Sequence, residues 1–162
     1  MESLSHQFKP VFNEQSRILI LGTFPSVKSR ETNFYYGHPQ NRFWKVLAAL
    51  LKKTVPMTIE EKKAFLLKNH IAIWDVIQSC EIQGSSDLSI RNVVPNDITC
   101  ITDTAPILHI YANGTKAYDL FNRYCQNPAG LPVTKLPSTS PANASYSLER
   151  LAAEWQCILS DI

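Results

Sequence analysis

The stretch RILILGTFPSVKSRETNFYYGHPQNRFWKVLAALL, residues 17–51, decides the fold. Ile18 to Leu21 form a continuous apolar run closed by Gly22, as expected of a strand buried on both faces. At the other end, Phe43, Val46, Leu47, Leu50 and Leu51 recur at i, i+3, i+4, i+7 and i+8, the core-facing stripe of an amphipathic helix. Pro39 suits the first position of that helix. Between strand and helix lie roughly twenty residues, a length that inside a compact domain is either functional or disordered. Phe24, Phe34, Tyr35 and Tyr36 argue against disorder. Gly22 to Trp44 therefore reads as an active-site loop.

Outward from this stretch the pattern repeats. Thr58 and Glu61 stand in the spacing of a capping box, predicting a helix over 58–69. A short β-branched run at 71–77 predicts a second buried strand, and 107–111 a third, closed by Asn113-Gly114. Residues 84–92 read as a polar loop, and Pro95 as the start of a short helix ending before Pro106. A helix is predicted over 115–124 and a weak fourth strand over 131–136. The last helix puts Leu148, Leu151, Ala152, Trp155, Ile158 and Leu159 on one face. Phe8 and Phe12 read as an N-terminal arm packing down on the domain. Strands alternating with helices predict an α/β/α three-layer domain with a short, mainly parallel central sheet, spanning residues 1–162. Such sheets bind ligands at the carboxyl ends of their strands. The loops after the first and fourth strands, 22–38 and 137–143, should then share one rim.

The 162 residues carry a net charge of +2, yet residues 22–53 alone hold +5 and residues 54–162 hold −3. A basic loop and helix on an otherwise acidic chain points to an anionic ligand, although an ordinary solvated face explains it almost as well. No apolar run reaches the ~20 residues of a membrane span, and no signal peptide is visible, so a cytoplasmic protein is expected. Cys80, Cys100, Cys125 and Cys157 form no close pair, and each reads as a buried free thiol. Neither a metal nor a cofactor is expected. Gly22 has no partner glycine before Gly37, so the phosphate-cradling glycine motifs fail.

What remains on the rim is chemistry for a nucleotide removed from its helix. Thr23, Ser26, Ser138, Thr139 and Ser140 offer hydroxyls to phosphodiester oxygens, and aromatics offer stacking to bases. Asn41 lies opposite the buried stripe, in what reads as the helix's first turn, so core packing does not explain it. A solvated helix-start asparagine is the bland alternative. His38 could flank the helix, and Asp75 could be an ordinary strand-end residue; the residues alone leave all three open.

The segments GTFPS, FYYGHPQNRFWKVL, IAIWDVI and PSTSPAN resemble the uracil-DNA glycosylase superfamily. The GHPQNRFW segment is similar to the mismatch-specific uracil/thymine glycosylases, whose first loop reads G-x-N-P. Here Phe24 stands in place of that loop's catalytic asparagine. This departure resembles the hypoxanthine-DNA glycosylase (DNA-deoxyinosine glycosylase) branch. The resemblance implies that Asn41 is catalytic. It implies a base pocket from Gly22, Thr23, Phe24, Pro25, Ser26, Tyr36 and His38, with Phe24 and Tyr36 stacking on the base. It implies a DNA-binding loop from Pro137, Ser138, Thr139, Ser140, Pro141, Ala142 and Asn143. The partner implied is DNA containing a deaminated base, met by a monomer without membrane association. A uracil or thymine mismatch glycosylase is the alternative within the class; a non-catalytic DNA-binding module or a metabolite-binding domain lies outside it.

Overall fold

The computed structural model describes residues 2–6, 8–82 and 90–162. Strands β2 (Ile18–Gly22), β3 (Ile71–Asp75), β6 (His109–Asn113) and β7 (Val133–Leu136) form a parallel sheet in the order β3-β2-β6-β7. β2 is buried along its whole length. Its alternate side chains enter two separate cores, Ile18 and Ile20 one, Leu19 and Leu21 the other. That division is the reason the run is apolar at every position rather than at every second one.

Helices α2 (Phe43–Leu51), α3 (Ile59–Lys68) and α6 (Leu148–Trp155) cover the first face, contributing Phe43, Leu47, Leu66, Leu151 and Trp155. Helices α4 (Thr99–Thr102) and α5 (Thr115–Tyr124) supply Ile101, Leu120 and Phe121 to the second. The predicted capping box is present, with the Glu61 amide donating to Thr58 Oγ1 at 3.0 Å and the Thr58 amide donating to Glu61 Oε1 at 2.9 Å. Phe8 and Phe12 pack down as an arm, one against each core.

A second sheet was not legible beforehand. β1 (Glu2–Ser5), β4 (Ile77–Ile82) and β5 (Arg91–Pro95) pair antiparallel in the order β1-β4-β5 over the second face. The run expected as one strand over 71–77 therefore splits: it leaves the parallel sheet after Asp75 and re-enters pairing at Ile77. β-Branched residues favour strands without specifying which sheet they join. Within the expected loop 84–92, Arg91 and Asn92 belong to β5, while residues 83–89 lie outside the described residues. Pro95 ends that strand instead of opening a helix; Asp97 accepts from the Thr99 amide at 3.1 Å at the head of the single turn α4.

Three further expectations need correction. α2 begins at Phe43, four residues after Pro39, because Pro39 sits inside a turn in which the Asn41 amide donates to the His38 carbonyl at 2.9 Å. A fixed proline φ serves a turn's second position as well as a helix start. The final helix ends at Trp155 and tightens into a 3-10 segment, Gln156–Asp161. Of the four free thiols only Cys80 is buried; Cys125 is half-buried, and Cys100 and Cys157 are exposed.

Candidate active site

All four parallel strands end on the same side. The chain passes outward from β2 to β3, then crosses back to β6, so the topological switch point lies between β2 and β6. Outside the carboxyl ends of such strands a crevice forms. Here it is a cleft of about 490 Å³ lined by the turn after β2, the ends of β3 and β6, the start of α5 and the loop after β7. Gly22, Thr23, Phe24, Pro25, Ser26, Tyr36 and Asn41 line it from one side, and Ser138, Thr139, Ser140 and Ala142 from the other. The two loops predicted to share a rim do so.

The first loop is built by local contacts. Ser26 caps a short helix, α1 (Val27–Thr32), accepting from the Ser29 amide at 3.1 Å. Ser29, itself buried, accepts the Gly37 amide on its Oγ at 2.9 Å and so folds the returning chain back onto α1. Asn33 closes α1 in the left-handed conformation. Tyr36 also has positive φ (53°), which is uncommon for a bulky residue. This backbone stacks its ring on Phe43 at 4.0 Å and sends its hydroxyl to the cleft floor, buried and without a hydrogen-bond partner. One ring face is thereby occupied, and only the other remains for a ligand. Gly22 is required by close approach: a Cβ there would stand 2.4 Å from Asp75 Oδ1 and 3.0 Å from the Tyr36 hydroxyl.

Asn41 precedes α2 instead of occupying its first turn. Its Oδ1 accepts from the Phe43 amide and from the Thr139 hydroxyl, both at 2.9 Å. A backbone N–H can only donate, so the atom facing it must be the amide oxygen. The NH₂ group is left to face the cleft. Thr139 is fully buried, and Asn113 at the end of β6 holds it twice: Asn113 Nδ2 donates to Thr139 Oγ1, and the Thr139 amide donates to Asn113 Oδ1, both at 3.1 Å. Asn41 is thus fixed through a chain of amides and a hydroxyl reaching the centre of the sheet.

The second loop depends on distant residues. The Arg42 guanidinium donates to the carbonyls of Ser140 at 2.9 Å, Asn143 at 3.1 Å and Tyr146. Its amide donates to the Thr139 carbonyl at 3.1 Å. Trp155 Nε1 donates to the Pro137 carbonyl at 2.9 Å. The expectation of an exposed basic face is therefore corrected at Arg42, whose charge braces the chain; Lys28 likewise pairs with Glu31 at 3.2 Å. Among the lining residues the one cation is Lys116, outside the basic segment, in the uncapped first turn of α5.

His38 does not reach the cleft; its Nδ1 accepts the Gln40 amide at 3.0 Å and shapes the turn before Asn41. Pro137 and Asn143 line an adjoining groove with Lys135 and Tyr146, and Pro141 lines neither. The sequence reading left Asp75 open and missed His6, Tyr35, Asn113 and Lys116. Asp75 is buried at the end of β3, beside Gly22, and pairs with His6 at 2.7 Å. Burial, with the Asp75 carboxylate nearby, pushes the Tyr35 and Tyr36 hydroxyls well above the usual phenol range. Both stay neutral through the physiological range.

Residues 9–159 match the family model described as the Uracil DNA glycosylase superfamily. A protein named hypoxanthine DNA glycosylase from Methanosarcina acetivorans is 34% identical over 155 residues, covering 93% of this chain and 95% of its own. Its namesake from Methanosarcina barkeri is 33% identical over 112 residues, 68% of this chain and 71% of the relative. A solution NMR structure from M. acetivorans, described as a candidate uracil DNA glycosylase, superposes with a TM-score of 0.80 at 33% identity, covering 96% of each chain. Sequence match, sheet order and the cleft at the strand ends agree, and the chain belongs to the uracil DNA glycosylase superfamily.

Proposed function

We propose that this protein is a monofunctional DNA glycosylase that hydrolyses the N-glycosidic bond of deoxyinosine flipped out of DNA, releasing hypoxanthine. The observation that carries this reading is the orientation of Asn41, whose oxygen is taken by Phe43 and Thr139 and whose NH₂ faces the cleft. Hypoxanthine presents acceptors at O6 and N7. An N–H donor aimed there stabilises the negative charge that gathers on the base as the bond to the sugar breaks. A carboxamide takes no proton at neutral pH, so Asn41 acts by position and dipole.

Water is the nucleophile. Its oxygen bonds to C1′ as the bond from C1′ to N9 breaks, and the two water protons end on the new sugar hydroxyl and on the base. Phe24 and the free face of Tyr36 stack on the extruded base, and the loop from Ser138 to Ala142 meets the flanking phosphates. The whole chain acts as one glycosylase domain and as a monomer, in the cytoplasm. The naming of two relatives as hypoxanthine DNA glycosylases supports the choice of base.

Duplexes carrying a single deoxyinosine or deoxyuridine test this directly. Hypoxanthine is the expected product, and release of uracil alone would overturn the choice. Asn41→Ala should slow release on the order of 10²–10³-fold. Borohydride should trap no protein–DNA adduct, since no amine attacks the sugar; a trapped adduct at Lys116 would overturn the hydrolytic route.

A further inference from the structure

Of the residues lining the cleft, Asp75 alone carries a carboxylate. It is 4% exposed, deeper than Asn41, and so lies where a flipped base rather than its sugar would reach. Its Oδ2 accepts from His6 Nε2 at 2.7 Å. His6 Nδ1 accepts the Phe8 amide at 3.1 Å, so this nitrogen carries no proton and the proton resides on Nε2. His6 is therefore a neutral donor in a fixed tautomer. Its ring is held edge-on against Phe8 at 5.5 Å and Phe24 at 5.8 Å. Among the described residues Asp75 Oδ1 has no hydrogen-bond donor, and it stands at the cleft wall against Gly22. A buried carboxylate oxygen facing an open cleft is an acceptor awaiting a donor.

We propose that Asp75 Oδ1 accepts the ring N–H of the flipped base, N1–H of hypoxanthine, and that His6 is the positioning residue that aims it. The inference rests on the glycosylase reading above. Asn41 and Asp75 together then offer one donor and one acceptor, matching the O6 or N7 acceptors and the N1–H donor of hypoxanthine. Adenine inverts both: its amino group meets the Asn41 NH₂, and its bare N1 meets a carboxylate. A site built to hydrogen-bond one polar edge rejects the inverted edge strongly, because its own buried groups are left unpaired. The N-terminal arm is then part of the base pocket, although His6 lies outside residues 9–159 of the family match.

Asp75→Asn, His6→Ala and the double variant test this in single-turnover base release. In Asp75→Asn, His6 Nε2–H claims the amide oxygen and turns the NH₂ toward the base N–H, so release should fall on the order of 10²-fold. Removing His6 as well frees the amide to rotate and present its oxygen. The double variant should then be faster than Asp75→Asn alone, by about tenfold. His6→Gln, which keeps an N–H donor, should retain more activity than His6→Ala. A double variant as slow as Asp75→Asn or slower, or an Asp75→Asn variant of undiminished rate, overturns the inference. A loss of fold cannot produce the expected gain, because a second core substitution only adds to it. If the wild type releases uracil instead, the choice of hypoxanthine fails while the same reversal is read on uracil N3–H. If it releases neither base, both readings fall.

Discussion

The two loops that close the cleft are held in opposite ways. The loop after β2 carries its own framework: Ser26 to Ser29, Ser29 to Gly37, and a left-handed Asn33, all within twelve residues of one another. The loop after β7 has some internal turns, but its carbonyls are gripped by Arg42 from about a hundred positions away and by Trp155 from the last helix. The first can form as soon as its own stretch collapses. The second has its working shape only once the sheet and α2 are in place. Asn41, adjacent to Arg42, is joined to it through Thr139, so catalytic geometry and loop bracing share one short segment.

The sharpest way to break the first loop is Gly22→Ala. Its Cβ would collide with Asp75 Oδ1 at the point where β2 and β3 are in register, and base release should fall below detection while the distant 3-10 end of the chain keeps its packing. Activity assays beside circular dichroism would check this. Arg42→Ala should be the strongest blow to the second loop, destabilising the protein by about 2–3 kcal/mol through lost charged hydrogen bonds. Arg42→Lys should recover little, since a single ammonium cannot serve three carbonyls in a guanidinium's fork. Denaturant melts of both variants read the difference. Ser29→Ala should cost less, about 1 kcal/mol, and hydrogen exchange should rise over 26–37 but not over 137–146. Spread of the exchange into the second loop would contradict the contrast drawn here.

Two smaller effects concern the cleft itself. Lys116→Ala should weaken binding to DNA of any sequence and reduce the slope of log affinity against log salt by about 1. The buried tyrosines add a pH limit. Tyr35 and Tyr36 have folded pKa values raised above the ordinary 10.0, chiefly by burial. The stability they confer is complete below the unfolded value and is lost as pH rises beyond it. Thermal midpoints should therefore hold to about pH 10 and then decline, less steeply in Tyr35→Phe, whose hydroxyl otherwise donates to the Lys9 carbonyl at 2.8 Å.

Much of the architecture was legible because its signals are local. Four apolar residues before Gly22 announced a doubly buried strand, and the Thr58–Glu61 spacing announced a helix start, since both signals are complete within a few residues. Asn41 was legible as a residue without a packing reason. The antiparallel sheet was not legible, because nothing in 71–82 marks where the chain changes partners; Asp75 ends one pairing and Ile77 begins the next. His38 was misread for the complementary reason. Its neighbourhood in sequence resembles a pocket, but a backbone amide two residues away claims its ring.

The sequence by itself determined the strands, the capped helices and the identity of the two loops, since propensity, capping and apolar period act over at most a few turns of chain. Tertiary structure decided how those loops become a site. Arg42 turned inward, Tyr36 gave up one ring face to Phe43, Lys116 came in as the cleft's cation, and His6 reached across 69 positions to Asp75. Each of those contacts joins residues whose separation is set by sheet order. Sheet order is fixed by burying both faces of β2 at once, a requirement that no single segment carries.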